Sequence, residues 1–147
     1  MSPLFGGHDD DQATGDVEAM SAEIARLEGL TLSQLAAEVM TKGFGPDGPG
    51  GPGRPGTIED LETNTYARVG ATEIARLMTP AFGARAVGGD LIRRLTNVVA
   101  EGLQVLENAA LVRASWNGGQ PHYMATRLGR AVVSEGRVEQ ALSRPAG

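Results

Sequence analysis

The chain holds two histidines, His8 and His122, and no cysteine. Without cysteine there is no thiolate nucleophile, no disulfide and no Cys-ligated zinc. The histidines stand near opposite ends of the chain, and no Ser/His/Asp set or His-x-x-x-His pair surrounds either. The run His8-Asp9-Asp10-Asp11 has donor atoms for a divalent ion, yet a stretch this polar reads first as a solvated acidic tail. The stretch GFGPDGPGGPGRPG at 43–56 contains seven glycines and four prolines. A phosphate loop holds anions with successive backbone N–H groups, and each proline deletes one of them. No Gly-Lys-Ser/Thr follows, so the composition marks a linker or exposed loop. The expectation is a protein that is not an enzyme and uses no cofactor or metal.

What remains is the chemistry of arginine. Twelve of the thirteen basic residues are Arg, and only Lys42 is Lys. The planar guanidinium fork suits phosphates and base edges, although a coding sequence rich in G and C produces the same bias. The net charge of −5 conceals an asymmetry: residues 1–84 carry 5 basic and 13 acidic side chains, residues 85–147 carry 8 and 5. An acidic front half thus precedes a mildly basic back half. No stretch approaches 18 apolar residues, so no membrane span is expected. The start MSPLFGGHDDDQ lacks the basic and apolar regions of a secretory signal. A cytoplasmic location is the expectation that follows.

The elements that must position these arginines are legible as periodicity. Residues 1–15 are expected as a flexible acidic tail. With Asp16 as N-cap, Val17, Met20, Ile24, Leu27 and Leu30 form a helical stripe. Thr31 and Gln34 make a capping box for a second helix with Leu32, Leu35, Ala36, Val39 and Met40 on one face and Gly43 as its stop. Residues 16–43 are therefore expected as an N-terminal helical hairpin, and 44–56 as the loop or linker after it. A capped segment follows Thr57. A short helix at 71–80 should bury Ile74, Leu77 and Met78. The longest helix, 90–109 with Asp90 as N-cap, buries Leu95, Val98, Val99, Gly102, Leu103 and Leu106. The runs ALVRASW and PHYMATR then flank Asn117-Gly118-Gly119-Gln120, a hairpin signal over 111–126. Thr126 caps a last helix with Leu128, Ala131, Val132, Val138 and Leu142 inward, weakened by Gly136. Residues 143–147 complete the chain as a C-terminal tail. The fold class is mainly α with a small β-hairpin (α+β).

The order of long helix, hairpin and capped helix resembles the second half of a winged helix-turn-helix domain, as in bacterial regulators of the multiple-antibiotic-resistance and PadR types. The matching residues are Leu103, Leu106, Glu107, Ala110, Leu111, Val112, Thr126, Gly129 and Arg130, and the similarity spans about residues 71–142. That resemblance implies a winged-helix domain over 57–142 preceded by the helical pair. Two departures stand out. Ala110 replaces the glycine usual before Leu-Val, and AFGARAVGG is far longer than a compact helix-turn-helix turn, with room for a short extra helical turn.

If helix 90–109 enters a major groove, its candidate readers of DNA are Arg93, Arg94, Asn97 and Gln104, since Arg pairs with guanine and Asn or Gln with adenine. Arg113, His122, Arg127 and Arg130 flank the hairpin as candidate DNA contacts of a wing, while the tip itself carries no charge. Trp116 could stack on a base, fill a dimer interface, or cover the core. The first functional reading is a DNA-binding transcriptional regulator acting on double-stranded DNA as a homodimer. The alternative is a winged-helix protein-protein interaction or dimerisation module without DNA binding, its acidic N-terminal helices docking a protein partner.

Overall fold

The computed structural model describes residues 3–46, 48–49, 69–117 and 119–143, and for residues 3–12 and 117 only the backbone. The segment expected after Thr57, most of 44–56, and residues 144–147 lie outside the described residues. In chain order the elements are α1 (Pro3–Glu28), α2 (Leu32–Phe44), α3 (Ala71–Met78), a 3-10 turn (Pro80–Gly83), α4 (Gly89–Asn108), β1 (Val112–Asn117), β2 (Gln120–Ala125), α5 (Arg127–Ser134) and α6 (Val138–Ser143). The protein is mainly helical with one two-stranded antiparallel sheet, the expected α+β class.

The first helix starts earlier than its apolar stripe. Met20, Ile24 and Leu27 are buried as expected, but the helix runs back to Pro3, so residues 3–15 are helical rather than a tail. A helix nucleated by a packed segment propagates at little cost per residue. Proline suits the first helical position, where its missing N–H removes nothing. The α1–α2 turn carries the expected capping box: Gln34 N donates to Thr31 Oγ1 at 3.1 Å and Thr31 N donates to Gln34 Oε1 at 3.0 Å. Across that turn, Arg26 spans Glu23 on its own helix (2.7 Å) and Glu38 on α2 (2.8 Å). Hydrogen bonds to Glu23 and then Glu38 raise the guanidinium pKa further above its already high ordinary value.

The two N-terminal helices do not pair along their lengths as a hairpin. Both turn their apolar faces to α4 instead, with α1 also on the 3-10 turn and α2 on α6. α4 is the axis of the fold. It packs on α1, α2, α3 and β1, and Leu95, Val98, Val99, Gly102, Leu103 and Leu106 are all buried. Gly102 sets the α2–α4 distance, since a Cβ there would come within 2.8 Å of Val39 Cγ2.

Several termini and faces differ from expectation for identifiable reasons. α2 continues past Gly43, which is helical and packed against Ile74, and ends at Gly45 in extended conformation. α4 takes Gly88 as its N-cap. Asp90 lies in the first turn, where a carboxylate still favours the helix dipole, and it pairs with Arg93 instead of capping. α3 buries Ile74, Ala75 and Met78 and leaves Leu77 43% exposed; Leu32 of α2 is also exposed. The expected last helix is two helices. Gly136 has φ 67, a conformation that ends α5 and begins a new direction. With α5 cut to eight residues, its buried positions are Gly129 and Val132, while Leu128 and Ala131 face solvent.

The long link after α3 does hold an extra helical turn, Pro80–Gly83, capped by Thr79 Oγ1. β1 and β2 pair antiparallel from Val112 opposite Ala125 to Asn117 opposite Gln120. Val69 bridges Tyr123 on the far edge of β2 through two backbone hydrogen bonds of 2.9 and 2.8 Å.

The junction of α4, the hairpin and α5 explains the Thr-x-x-Gly pattern. α4 ends in a Schellman motif: Leu111 N donates to Leu106 O and Ala110 N to Glu107 O. Ala110 occupies the left-handed position with φ 63. Thr126 Oγ1 donates to Ala110 O at 2.6 Å and accepts from Gly129 N at 2.9 Å. A Cβ on Gly129 would lie 2.0 Å from Leu111 O, a backbone atom already bonded by Thr126 N. Two substitutions should therefore move stability in opposite directions. Ala110→Gly removes left-handed strain and should stabilise by about 0.5–1 kcal/mol. Gly129→Ala should destabilise by about 3 kcal/mol or more, because the colliding oxygen cannot yield without losing its bond. Denaturant unfolding of both variants measures the difference, and a neutral Gly129→Ala would refute the close approach.

Candidate nucleic-acid interface

The eight residues singled out from the sequence fall into three places. The first is the solvent face of α4, where Arg93, Asn97, Glu101 and Gln104 recur at intervals of four, four and three residues and are all exposed. Helical geometry puts such positions in one line, opposite the buried Leu95–Val99–Leu106 stripe. Arg94 sits beside that line, turned toward α1, where its Nη2 lies 3.0 Å from Glu28 Oε1. Arg93 Nη1 lies 3.2 Å from Asp90 Oδ1, and Gln104 Nε2 donates to Asn108 Oδ1 at 3.1 Å. Asp90, Glu101 and Glu107 outnumber Arg93 and Arg94, so the polar face of α4 carries no net positive charge. Exposed pairs of this kind contribute roughly 0–1 kcal/mol each, which leaves both arginines exchangeable toward another anion.

The second place is a cleft of about 480 Å³ between the start of α3, Thr96 of α4 and the tip half of β2. His122 lines it, half-buried, with Thr72, Glu73 and Gln120. Glu73 is engaged at the helix start, where Gly70 N donates to its Oε1 at 3.0 Å. Ser115 stands opposite His122 in the strand register. Ser115 Oγ and His122 Nδ1 are both buried with no hydrogen-bond partner among the described residues.

The third place is the base of the hairpin. Arg113 on β1 and Arg127 and Arg130 on α5 line a separate hollow of about 230 Å³ whose buried wall is Met124 and Ala125. Arg130 Nη1 donates to Ala125 O at 3.2 Å, which fixes that side chain. The structure thus gathers three of the expected wing residues, but at the foot of the hairpin and away from its tip.

Trp116 is the functional candidate whose placement the sequence misjudges most. Strand alternation puts it on the same sheet face as Val112, Ala114 and Tyr123. The body of the protein ends before it, so it is 72% exposed and does not cover the core. Its partner across the register is Pro121, next to an uncharged turn. The available signal was its distance from the helix junction, five residues out along a strand that only the inner pairs anchor.

Comparison of the chain with family models, with curated proteins and with solved structures finds no match. Among the described residues no helix is long and apolar enough to cross a membrane, and no group of His, Cys, Asp and Glu could hold a metal ion.

Tyr123 ties this region to pH. Burial, and behind it the charge of Glu107, pushes its phenol above the ordinary value. The unfolded chain ionises this group near the usual value of about 10, whereas the native chain holds the proton to higher pH. Its contribution to stability is full below about pH 10 and is lost as pH rises through the raised native value. Unfolding midpoints measured across that window should fall for the wild type and fall less for Tyr123→Phe. Parallel declines for the two proteins would contradict the assignment.

Proposed function

We propose that this chain is a winged helix-turn-helix protein with an N-terminal helical pair, acting as a DNA-binding regulator. In this reading the N-terminal half of α4 enters the major groove of double-stranded DNA and the hairpin is the wing. The observation that carries the reading is the chain order around α4. Helix α2, the Val69 bridge, α3, α4 and the hairpin follow one another, and the bridge sets Val69 against Tyr123 of β2. This order leaves Arg93, Asn97 and Gln104 on a solvent face of α4, with Thr96 against the tip half of the hairpin. The similarity of Leu103, Leu106, Ala110–Val112, Thr126 and Gly129 to bacterial regulators of the multiple-antibiotic-resistance and PadR types supports the same assignment. A cytoplasmic homodimer reading a two-fold symmetric site is the form that resemblance implies.

A second reading is favoured by one feature. The polar face of α4 carries no net positive charge, and the exposed aromatic at the hairpin end stands beside an uncharged turn. A winged-helix module that docks a protein, through Trp116 or the acidic N-terminal helices, needs no basic surface.

Fluorescence of Trp116, the one tryptophan of the chain, reports on either event. Titration with duplex DNA at low salt should give saturable binding that weakens steeply as salt rises, by a slope of roughly 0.9 per phosphate contacted. Arg93→Ala with Asn97→Ala should remove about 1–3 kcal/mol for each base pair no longer read. Absence of binding at low salt would reject the DNA reading in favour of the protein-docking one. Light scattering on the eluting peak determines whether the protein is a dimer.

A further inference from the structure

The hollow at the foot of the hairpin lies apart from the face of α4 proposed to read DNA. Thr96 faces the tip half of the hairpin and Ala110 begins its base. Residues 97–108 of α4 lie between them, about 18 Å along the axis. A duplex seated on the N-terminal half of α4 therefore lies at the other end of the sheet.

Three cationic side chains converge on this hollow, and among the described residues no acidic side chain lines it. Arg127 and Arg130 also occupy the first turn or so of α5, the positive end of that helix, and α5 has no acidic residue in its first turn. A cation at that end, as Arg127 is, stands unfavourably against the helix dipole. Arg113 and Arg127 are exposed and make no ion pair or side-chain hydrogen bond among the described residues. The wall behind them is apolar, formed by buried Met124 and Ala125. Arg130 is held at the rim by the Ala125 carbonyl. Guanidinium forks of this kind match the geometry of phosphate oxygens, singly or in pairs.

We propose that this hollow is a phosphate site, in which Arg113, Arg127 and Arg130 hold the phosphate group of a small molecule, free phosphate or a compact phosphate ester. The bound anion would neutralise the start of α5 and clamp it to β1. Occupancy would thereby stiffen the Thr126 junction that joins α4 to the hairpin.

Inorganic phosphate is the probe. Thermal unfolding and calorimetric titration compare phosphate with chloride at matched ionic strength, for the wild type, Arg113→Gln, Arg127→Gln and the double variant. Ligand that binds only the native state raises the melting temperature in a saturable way. The general salting effect of phosphate persists in the double variant and supplies the baseline. Each single substitution should weaken phosphate binding about tenfold, the loss of one charge-assisted contact at an exposed site. The double variant should show no saturable response to phosphate. Equal responses of wild type and double variant to phosphate would overturn the proposal. So would loss of duplex binding in the double variant without any saturable phosphate effect, because the arginines would then contact the DNA backbone. Phosphate binding is read without DNA, so this site and the DNA reading stand or fall separately.

Discussion

The hydroxyl of Thr126 holds the structure together at the point where three elements meet. As donor it reaches the Ala110 carbonyl at the end of α4, and as acceptor it takes the Gly129 N–H at the start of α5. Its own backbone N–H bonds Leu111 O at 3.0 Å. One residue thus answers for a helix C-terminus, a strand base and a helix N-terminus, each of which would otherwise leave polar backbone groups unsatisfied. The absence of a side chain on Gly129 is what allows α5 so close to Leu111. Ala110 bears the local cost of the arrangement, held at positive φ by the bonds around it.

Everything proposed for function is hung on that junction. It fixes the direction in which the hairpin leaves α4, and hence which side chains of α4 share a surface with the hairpin tip. It also fixes where α5 begins, and so brings Arg127 and Arg130 to Arg113. The hairpin beyond the junction is held less firmly. Val69 pairs with β2 only at Tyr123, and the outer pairs from Ser115 to Asn117 have one another as partners. Trp116 rides on that outer part, which suits a contact made with another molecule more than a role in the core.

Charge is arranged differently from what the totals suggest. The basic back half of the chain does not make a basic face on α4, because Asp90 and Glu28 come to Arg93 and Arg94. The positive character collects instead at the foot of the hairpin. A duplex bound by α4 would have to displace pairs worth little individually, and the energy of recognition would then come from Asn97, Gln104 and the arginine forks more than from a general attraction.

Much of the fold was legible because its signals are local. The Met20–Ile24–Leu27 stripe, the Thr31/Gln34 box, the Thr126 cap and the hairpin turn are each written in residues no more than four apart from the next, the reach of a helical turn or a strand pair. The inward face of α4 was legible for the same reason, as was the exposure of Arg93, Asn97 and Gln104. Other features depend on residues far apart in the chain, and local periodicity carries no trace of them. Leu77 and Leu128 have the spacing of core residues, but the neighbouring helices pass on their other sides. Trp116 has the alternation of a buried residue, but the body ends short of it. Arg94 meets Glu28 across 66 positions, and Arg113 meets Arg127 and Arg130 only once the hairpin folds back onto α5. The sequence by itself determined which periodic segments would be helix or strand and which of their faces would be apolar, though not where α1 begins or where the last helix breaks. Only the tertiary structure decided which charges meet across the fold and which gather around a hollow, because such distances are set by packing between elements.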